Sequence, residues 1–163
     1  MDQYRTRSNI GNLPLDTGSR RVCAICMRTD SWSVLFINVY MPYEDGEKRS
    51  DDFCSQLTTI EYLINQHPDC HIVLGGDFNV DFSRNWFHTE LLTDFCDNLS
   101  LEPVYQHNNY HIDYSYNFNM SRFNILDHFI LSGILFENSI ISVDAIHHGD
   151  NLSDHEPIVM KLS

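Results

Sequence analysis

Residues 70–81 of the sequence read CHIVLGGDFNVD. The apolar run at 72–74 predicts a buried strand, and the two glycines after it let the backbone turn tightly. Asp77 and Asn79 follow at the predicted end of this strand, where alternation places both side chains on the same side. A carboxylate beside an amide can align a water molecule on a phosphorus atom. An Asx turn that closes a strand explains the same two residues equally well.

A second informative stretch, residues 151–158, reads NLSDHEPI. Asp154 and His155 stand side by side just before an apolar strand. Adjacent side chains on an extended backbone point to opposite faces, so both reach one pocket only at a bend or at the mouth of a strand. An aspartate and a histidine in one pocket suit hydrolysis, whereas the alternative is a surface turn before a strand.

A family resemblance is carried by four segments in a fixed order. They are INVYMP at 37–42, GGDFN at 75–79, LDHFILS at 126–132 and SDH at 153–155. In this order they resemble the endonuclease/exonuclease/phosphatase superfamily, and within it the endonuclease domain of LINE-type (non-LTR) retrotransposons. The resemblance spans residues 18–163, which we expect to form the C-terminal part of such a domain. Residues 1–17 match loosely and are predicted to be a polar loop segment.

The resemblance implies an enzyme that cleaves DNA phosphodiester bonds with Mg²⁺ or Mn²⁺. It gives Asp127 the task of orienting His155, which in its protonated form would contact the scissile phosphate. A nearby carboxylate raises the pKa of a histidine, so this pairing is physically sensible. Asp77, with Asn79 beside it, would align or deprotonate the nucleophile. The other implied roles are phosphate contact for Tyr40, substrate contact for Asn79 and Ser115, and metal binding for Asp154.

One departure from the family concerns the first strands. Domains of this family open with a strand that ends in Asn and continue to a metal-binding Glu. Here no Glu precedes Glu44, and Asn9 and Asn12 lie in a stretch punctuated by Gly and Pro. We therefore expect an N-terminally incomplete domain that lacks its first strands and has impaired activity. A non-catalytic remnant is one alternative.

Another alternative is a phosphatase or other phosphoesterase of the same superfamily. The phosphoinositide phosphatases carry an Arg soon after the Asp-x-Asn motif and a Cys-Asp-Arg near the third motif. This chain has Val80 and Asp81 in the first place and the run Leu126, Asp127 and His128 in the second. The endonuclease is therefore the favoured interpretation, with a reverse transcriptase expected in the full-length element.

Composition sets broader limits on the protein. The 163 residues are 42% hydrophobic, which suits one domain with a real core. No apolar run is long enough to span a bilayer or to form a signal peptide, so we expect an intracellular protein with no membrane partner, nuclear by analogy with the family. The 23 acidic and 10 basic residues give a net charge of -13, which opposes DNA binding at long range. Oligomeric state stays open.

Periodicity and turn signals predict an α/β fold, which the resemblance sharpens to a layered sandwich of two mixed β-sheets flanked by helices. The predicted strands are 21–27, 33–40, 71–74, 110–118, 125–131, 140–145 and 157–162, and the predicted helices are 51–66 and 85–98. If the first strands are missing, some apolar side chains lose their cover. Those expected to be poorly shielded are Val34, Phe36, Val73 and Phe129.

Overall fold

The computed structural model describes residues 11–44, 47–119 and 122–163. These ranges contain eleven strands and three α-helices. The strands are β1 Gly11–Leu15, β2 Val22–Arg28, β3 Ser33–Tyr40, β4 His71–Asp77, β5 Leu101–Pro103, β6 Tyr110–His111, β7 Tyr116–Phe118, β8 Arg122–Asn124, β9 Asp127–Ser132, β10 Ile140–Ala145 and β11 Ile158–Leu162. The helices are α1 Glu47–Asn65, α2 Phe87–Leu99 and α3 Gly133–Asn138.

Two mixed sheets and a hairpin make up the strand arrangement. The larger sheet has the order β1-β2-β3-β4-β9-β5, in which β3 and β4 are parallel and the other neighbours are antiparallel. The smaller sheet has the order β11-β10-β6, with β6 parallel to β10, and β7 pairs with β8. The predicted α/β fold of mixed sheets with flanking helices is confirmed. No helix in the described ranges is long and apolar enough to cross a membrane.

One face of the larger sheet is fully covered by helices. A row of directly paired residues crosses β2, β3, β4 and β9, and all four are at most 4% exposed: Ala24, Ile37, Leu74 and Ile130. They share a core with Phe53 of α1 and Leu92 of α2. The apolar faces of the two long helices therefore fix the sheet from this side.

The other face is covered only in part. The neighbouring row consists of Ile25, Phe36, Val73 and Leu131. Val73 and Leu131 pack against Val143 of the smaller sheet, whereas Phe36 is 37% and Ile25 is 45% exposed. The smaller sheet thus shields β4 and β9 and leaves the sheet open at Ile25 of β2 and Phe36 of β3.

This uneven cover bears on the four apolar side chains that were expected to be poorly shielded. Phe36 is exposed as expected, and Phe129 is partly buried. The expectation was wrong for Val34 and Val73, which are buried in the core beneath the smaller sheet. The smaller sheet and α3 supply enough apolar surface for these two positions.

Several predicted elements need correction. Gly11–Leu15 form an edge strand on β2 instead of a loop, because an edge position tolerates Pro14, which lacks a backbone N–H. Residues 1–10 lie outside the described residues, and the boundary at residue 18 stays a prediction. The predicted strand 110–118 is broken into β6 and β7, which belong to different sheets. The short elements β1, β5, β8 and α3 were missed.

Candidate active site

The candidate site lies where three neighbouring strands of the larger sheet meet in register. Tyr40 at the end of β3 pairs with Asp77 at the end of β4, and Asp77 pairs with Asp127 at the start of β9. Directly paired residues of adjacent strands present their side chains on the same face. The parallel pair β3 and β4 therefore brings two of the predicted residues to one edge, and the antiparallel β9 adds the third.

The glycine before Asp77 is required by this close pairing. Gly76 has φ +135°, and a Cβ at this position would lie 2.2 Å from the carbonyl oxygen of Val39 on β3. Both the backbone conformation and the lack of space exclude a side chain. Gly76 therefore allows β4 to reach the strand mouth beside β3 and to place Asp77 there.

His155 lies between the two aspartates. Its Nδ1–H donates to Oδ2 of Asp127 at 2.8 Å, and its Nε2 lies 3.9 Å from Oδ2 of Asp77. The hydrogen bond to Asp127 raises the pKa of His155 above its ordinary value, although burial lowers it. The 3.9 Å separation is too long for a hydrogen bond, so Nε2 stays available to donate to a third group.

Asp77 is held by Asn79, the other half of the motif. The backbone N–H of Asn79 donates to Oδ1 of Asp77 at 2.9 Å, and its Nδ2 donates to Oδ2 at 3.1 Å. Nδ2 also donates to the carbonyl oxygen of Met41 at 2.9 Å, and Asn79 has φ 51°, a conformation that Asn tolerates. The Asx turn between Asp77 and Asn79 therefore also holds the carboxylate of Asp77 in place at the end of β4.

The electrostatic environment of Asp77 favours a proton more than that of an ordinary aspartate. Burial raises the pKa of Asp77 to about 6, with the charges of Asp127 and Asp154 adding to the rise. The hydrogen bond from Asn79 and the charge of His155 act in the opposite direction. The carboxyl group therefore has a pKa near neutral pH, as a group that exchanges protons requires.

Ser115 does not lie on the surface of the site. It is 0% exposed, and its Oγ accepts the backbone N–H groups of Leu126 at 2.9 Å and of Asp127 at 3.0 Å. Its expected substrate contact is therefore corrected: this buried hydroxyl bonds to the chain that carries Asp127.

Asp154 and Tyr40 are both exposed at the rim. The backbone carbonyl oxygen of Asp154 accepts the N–H of Asn117 at 2.8 Å. The charge of the Asp154 carboxylate raises the pKa of both Asp77 and His155. Tyr40 is 59% exposed, and the guanidinium carbon of Arg21 lies 5.1 Å from its ring centroid. Both side chains therefore lie at the rim of the site, and their metal and phosphate roles stay predictions.

Sequence reasoning missed two residues that contact the His155 segment. Tyr116 forms an isolated antiparallel bridge with His155, and their rings meet edge to face with centroids 5.0 Å apart. Asn151 donates through Nδ2 to the carbonyl oxygen of His155 at 2.8 Å and to Oε2 of Glu156 at 3.1 Å. The Asx turn in which Oδ1 of Asn151 accepts the N–H of Ser153 at 3.0 Å could have been suspected from the sequence, but the contacts of its Nδ2 could not. Nothing in the sequence signals the Tyr116 bridge.

Asp77, Asp127 and His155 form a group that could hold a metal ion. One ligand atom from each of Asp77, Asp127 and His155 lies within 4.8 Å of the others. Carboxylate oxygens are the ligands that Mg²⁺ prefers, and an imidazole nitrogen suits transition metals such as Mn²⁺ better. The donor set therefore fits a divalent cation on the two carboxylates, while His155 is already bonded to Asp127. Asp154 lies outside this group of described residues.

The comparisons with known proteins identify the family of this chain. The family model described as endonuclease-reverse transcriptase matches residues 34–159, which include all the residues of the site. The chain belongs to this family. It lies within the endonuclease/exonuclease/phosphatase superfamily of nucleases and phosphatases. Among curated proteins, no sequence matches the chain.

Solved structures of the superfamily share the fold. The endonuclease domain of TRAS1, a telomere-specific non-LTR retrotransposon, is 14% identical with a TM-score of 0.72, and the match covers 94% of this chain and 67% of that one. The 3′ phosphatase NExo from Neisseria is 16% identical with a TM-score of 0.69, covering 96% and 72%. An AP endonuclease from Archaeoglobus fulgidus is 15% identical with a TM-score of 0.66, covering 95% and 70%. At such identities the likeness shows the fold alone.

Proposed function

We propose that this endonuclease-reverse transcriptase family member is the DNA-nicking endonuclease domain of a non-LTR retrotransposon, hydrolysing phosphodiester bonds with a divalent metal ion. One observation carries the proposal: the imidazole of His155 lies between two carboxylates, at the end of β4 and at the start of the antiparallel β9. Hydrolysis at phosphorus needs a positioned nucleophile and a cationic donor for the charge that develops on oxygen. In this proposal Asp77 positions the nucleophile and His155 is the cationic donor.

His155 is the proposed phosphate contact. Its Nδ1–H is committed to Asp127 at 2.8 Å, so the ring orientation is fixed and Nε2 faces the remaining space. The hydrogen bond to Asp127 raises the pKa of His155, which favours the protonated ring. A protonated Nε2 can donate to a phosphate oxygen and stabilise the negative charge that grows there.

Asp77 is the proposed group that orients the attacking water and accepts its proton. Both of its oxygens accept hydrogen bonds from Asn79, so the carboxylate is held in one orientation. Each oxygen keeps a second lone pair for a water molecule. In this proposal Tyr40 donates from the exposed rim to another phosphate oxygen, and Asn79 helps to bind the substrate.

A divalent cation, Mg²⁺ or Mn²⁺, would be held by Asp77 and Asp127 with Asp154 at the rim. When bound, it would neutralise negative charge on the phosphate and polarise the bond to phosphorus. The repulsion between the neighbouring carboxylates helps to raise the pKa of Asp77. A bound cation would offset this repulsion.

We propose further that this chain by itself cleaves slowly. The resemblance implies a metal-binding Glu, and the first Glu of the sequence is Glu44. Its Oε2 accepts the backbone N–H of His88 at 3.1 Å, at the start of α2, so it is already used there. The net charge of -13 adds a cost to DNA approach that a bound cation would reduce only locally. A reverse transcriptase in the same element and a nuclear location are proposed by analogy with the family.

The decisive experiment is a plasmid-nicking assay. The purified chain would be incubated at high concentration with supercoiled DNA and Mg²⁺, Mn²⁺ or a chelator. The expected result is slow conversion to the nicked circle, dependent on the metal ion and abolished by His155→Ala. The matched control is His148→Ala, which changes an exposed histidine outside the site. A second substrate, a DNA hairpin with a 3′ phosphate, tests for phosphatase activity.

Each outcome of this assay is informative. Nicking by the wild type that does not exceed that of His155→Ala contradicts the nuclease assignment and favours a non-catalytic protein. Release of phosphate without nicking favours a phosphatase instead. Rapid, metal-dependent nicking supports the nuclease and contradicts the proposed impairment.

A further inference from the structure

Ser115 ties together the two separate chain segments that carry Asp127 and His155. We propose that Ser115 is a positioning residue that sets the geometry of the hydrogen bond between these two side chains. This role rests on the proposed function of the pair. The hydroxyl itself is buried beneath the site and contacts no substrate.

The first step concerns the backbone that leads into β9. The N–H groups of Leu126 and Asp127 donate to Oγ of Ser115 at 2.9 and 3.0 Å. The neighbouring strand β5 pairs with β9 only from Ile130 to Ser132, so its ladder ends before these two N–H groups. A serine oxygen has two lone pairs, and both are used here. The hydroxyl thus takes the place of a neighbouring strand at the point where the chain enters β9 at Asp127.

The second step concerns the segment that carries His155. The carbonyl oxygen of Ser115 accepts the backbone N–H of Glu156 at 2.8 Å. The next residue, Tyr116, forms the antiparallel bridge to His155 and stacks edge to face on its ring. The backbone of Ser115 therefore holds the His155 segment, while its side chain holds the Asp127 segment.

The third step joins the two. The Asp127–His155 hydrogen bond measures 2.8 Å and is made by residues from different segments of the chain. Its length and direction depend on the relative position of the two backbones, and Ser115 is bonded to both. Ser115 is 0% exposed, so no water can substitute for its hydroxyl without a rearrangement. Removal of Oγ leaves the N–H groups of Leu126 and Asp127 without this acceptor, next to the side chain that binds His155.

The test compares Ser115→Ala with Ser132→Ala. Ser132 is a matched control at the far end of β9, because its Oγ also accepts a backbone N–H, that of Ile72 at 3.2 Å. The first measurement is NMR on protein with ¹⁵N-labelled histidine, which detects the hydrogen-bonded Nδ1–H of His155, assigned by its loss in His155→Gln. The second is amide hydrogen exchange at Leu126 and Asp127. Neither measurement requires activity, so the proposal can fail while the nuclease assignment survives, and the reverse.

In Ser115→Ala, the Nδ1–H signal of His155 should be lost and exchange at Leu126 and Asp127 should accelerate, while Ser132→Ala retains the wild-type signal. Ser115→Thr, which keeps the hydroxyl, should restore it. Where nicking is measurable, kcat should fall about a hundredfold in Ser115→Ala, as expected for a small displacement of a reacting group, with little change in KM.

An unchanged Nδ1–H signal in folded Ser115→Ala would overturn the proposal. If the alanine variant does not fold, Ser115→Cys decides, because a thiol fills similar space but accepts hydrogen bonds weakly. A wild-type signal in folded Ser115→Cys would count equally against a positioning role, and a lost or broadened signal would support it.

Discussion

At the scale of single residues, the chemistry of the site depends on which side chain His155 contacts. Asp154 precedes it in the sequence, yet the hydrogen bond goes to Asp127 at 2.8 Å. Alternation on an extended backbone explains this, since adjacent side chains diverge while residues of neighbouring segments can meet. Asp127 and His155 should therefore act as one unit in catalysis.

We predict that Asp127→Ala and His155→Ala each lower nicking by on the order of 10²- to 10⁴-fold, the range typical of general acid–base groups. The double variant should lose little more than the worse single variant, because each change disables the same pair. Rates would be measured in a fusion of this chain to a family segment that supplies a metal-binding Glu, with circular dichroism as a check on folding. A double-variant loss equal to the product of the two single losses would contradict the proposed unit.

The sequence motifs predicted the residues that the structure brings together, Asp77, Asp127 and His155, but not the contacts of Ser115. Asp77 and Asn79 were recognisable because a strand, two glycines and polar residues follow one another locally. Ser115 acts through hydrogen bonds to Leu126, Asp127 and Glu156, which are distant along the chain. Sequence spacing carries no information on such contacts, so its hydroxyl was assigned to the substrate instead of to the backbone.

At the scale of elements, the contact between α1 and α2 contains a buried histidine. His88 at the start of α2 is 1% exposed and stacks on Phe53 of α1 with ring centroids 4.2 Å apart. Its Nε2 lies 3.3 Å from Oγ of Ser50, and its Nδ1 has no partner among the described residues. Burial lowers the pKa of His88, although the charge of Glu44 raises it.

This predicts an acid-sensitive contact between the two helices. The pKa of His88 is lower in the folded than in the unfolded state. The contribution of neutral His88 to the free energy of unfolding is therefore complete above about pH 6.5 and is lost as the pH falls through the folded pKa. Denaturant unfolding at several pH values would measure the slope. His88→Phe should reduce it, and the same substitution at exposed His148 should leave it unchanged. Equal slopes for wild type and His88→Phe would refute the assignment.

The elements themselves were predictable in proportion to their length. The helices α1 and α2 and the strands β2, β3 and β10 agree with the periodic patterns within a few residues. The stretch 110–118 looks like one strand because its aromatic residues favour extended structure. It breaks at Asp113, whose Oδ1 accepts the N–H of Tyr114 and ends the extended run. Two short strands in different sheets result, and tertiary pairing decides between such alternatives.

At the scale of the whole molecule, the uneven cover of the larger sheet leaves an apolar surface exposed. Along the row that crosses four strands, exposure rises from 0% at Leu131 and 6% at Val73 to 37% at Phe36 and 45% at Ile25. The last two border an open trough of about 370 Å³ lined also by Phe129 and Ile158. An apolar surface of this kind favours contact with another chain, whereas the net charge of -13 opposes it.

We therefore predict that the chain associates reversibly and that salt promotes the association. Salt screens the repulsion between like-charged copies, because the Debye length falls to about 10 Å at 0.1 M ionic strength, while apolar burial is not weakened. Light scattering and thermal unfolding over a concentration series, at low and high salt, would measure the association.

Ile25→Glu should abolish the concentration dependence, since it puts a charge into the open face. Ile141→Glu makes the same change of charge at an isoleucine that is 55% exposed and lies outside the trough, and it should have little effect. A monodisperse wild type with a concentration-independent transition at high salt would mean that the open face of β2 and β3 is stable in water.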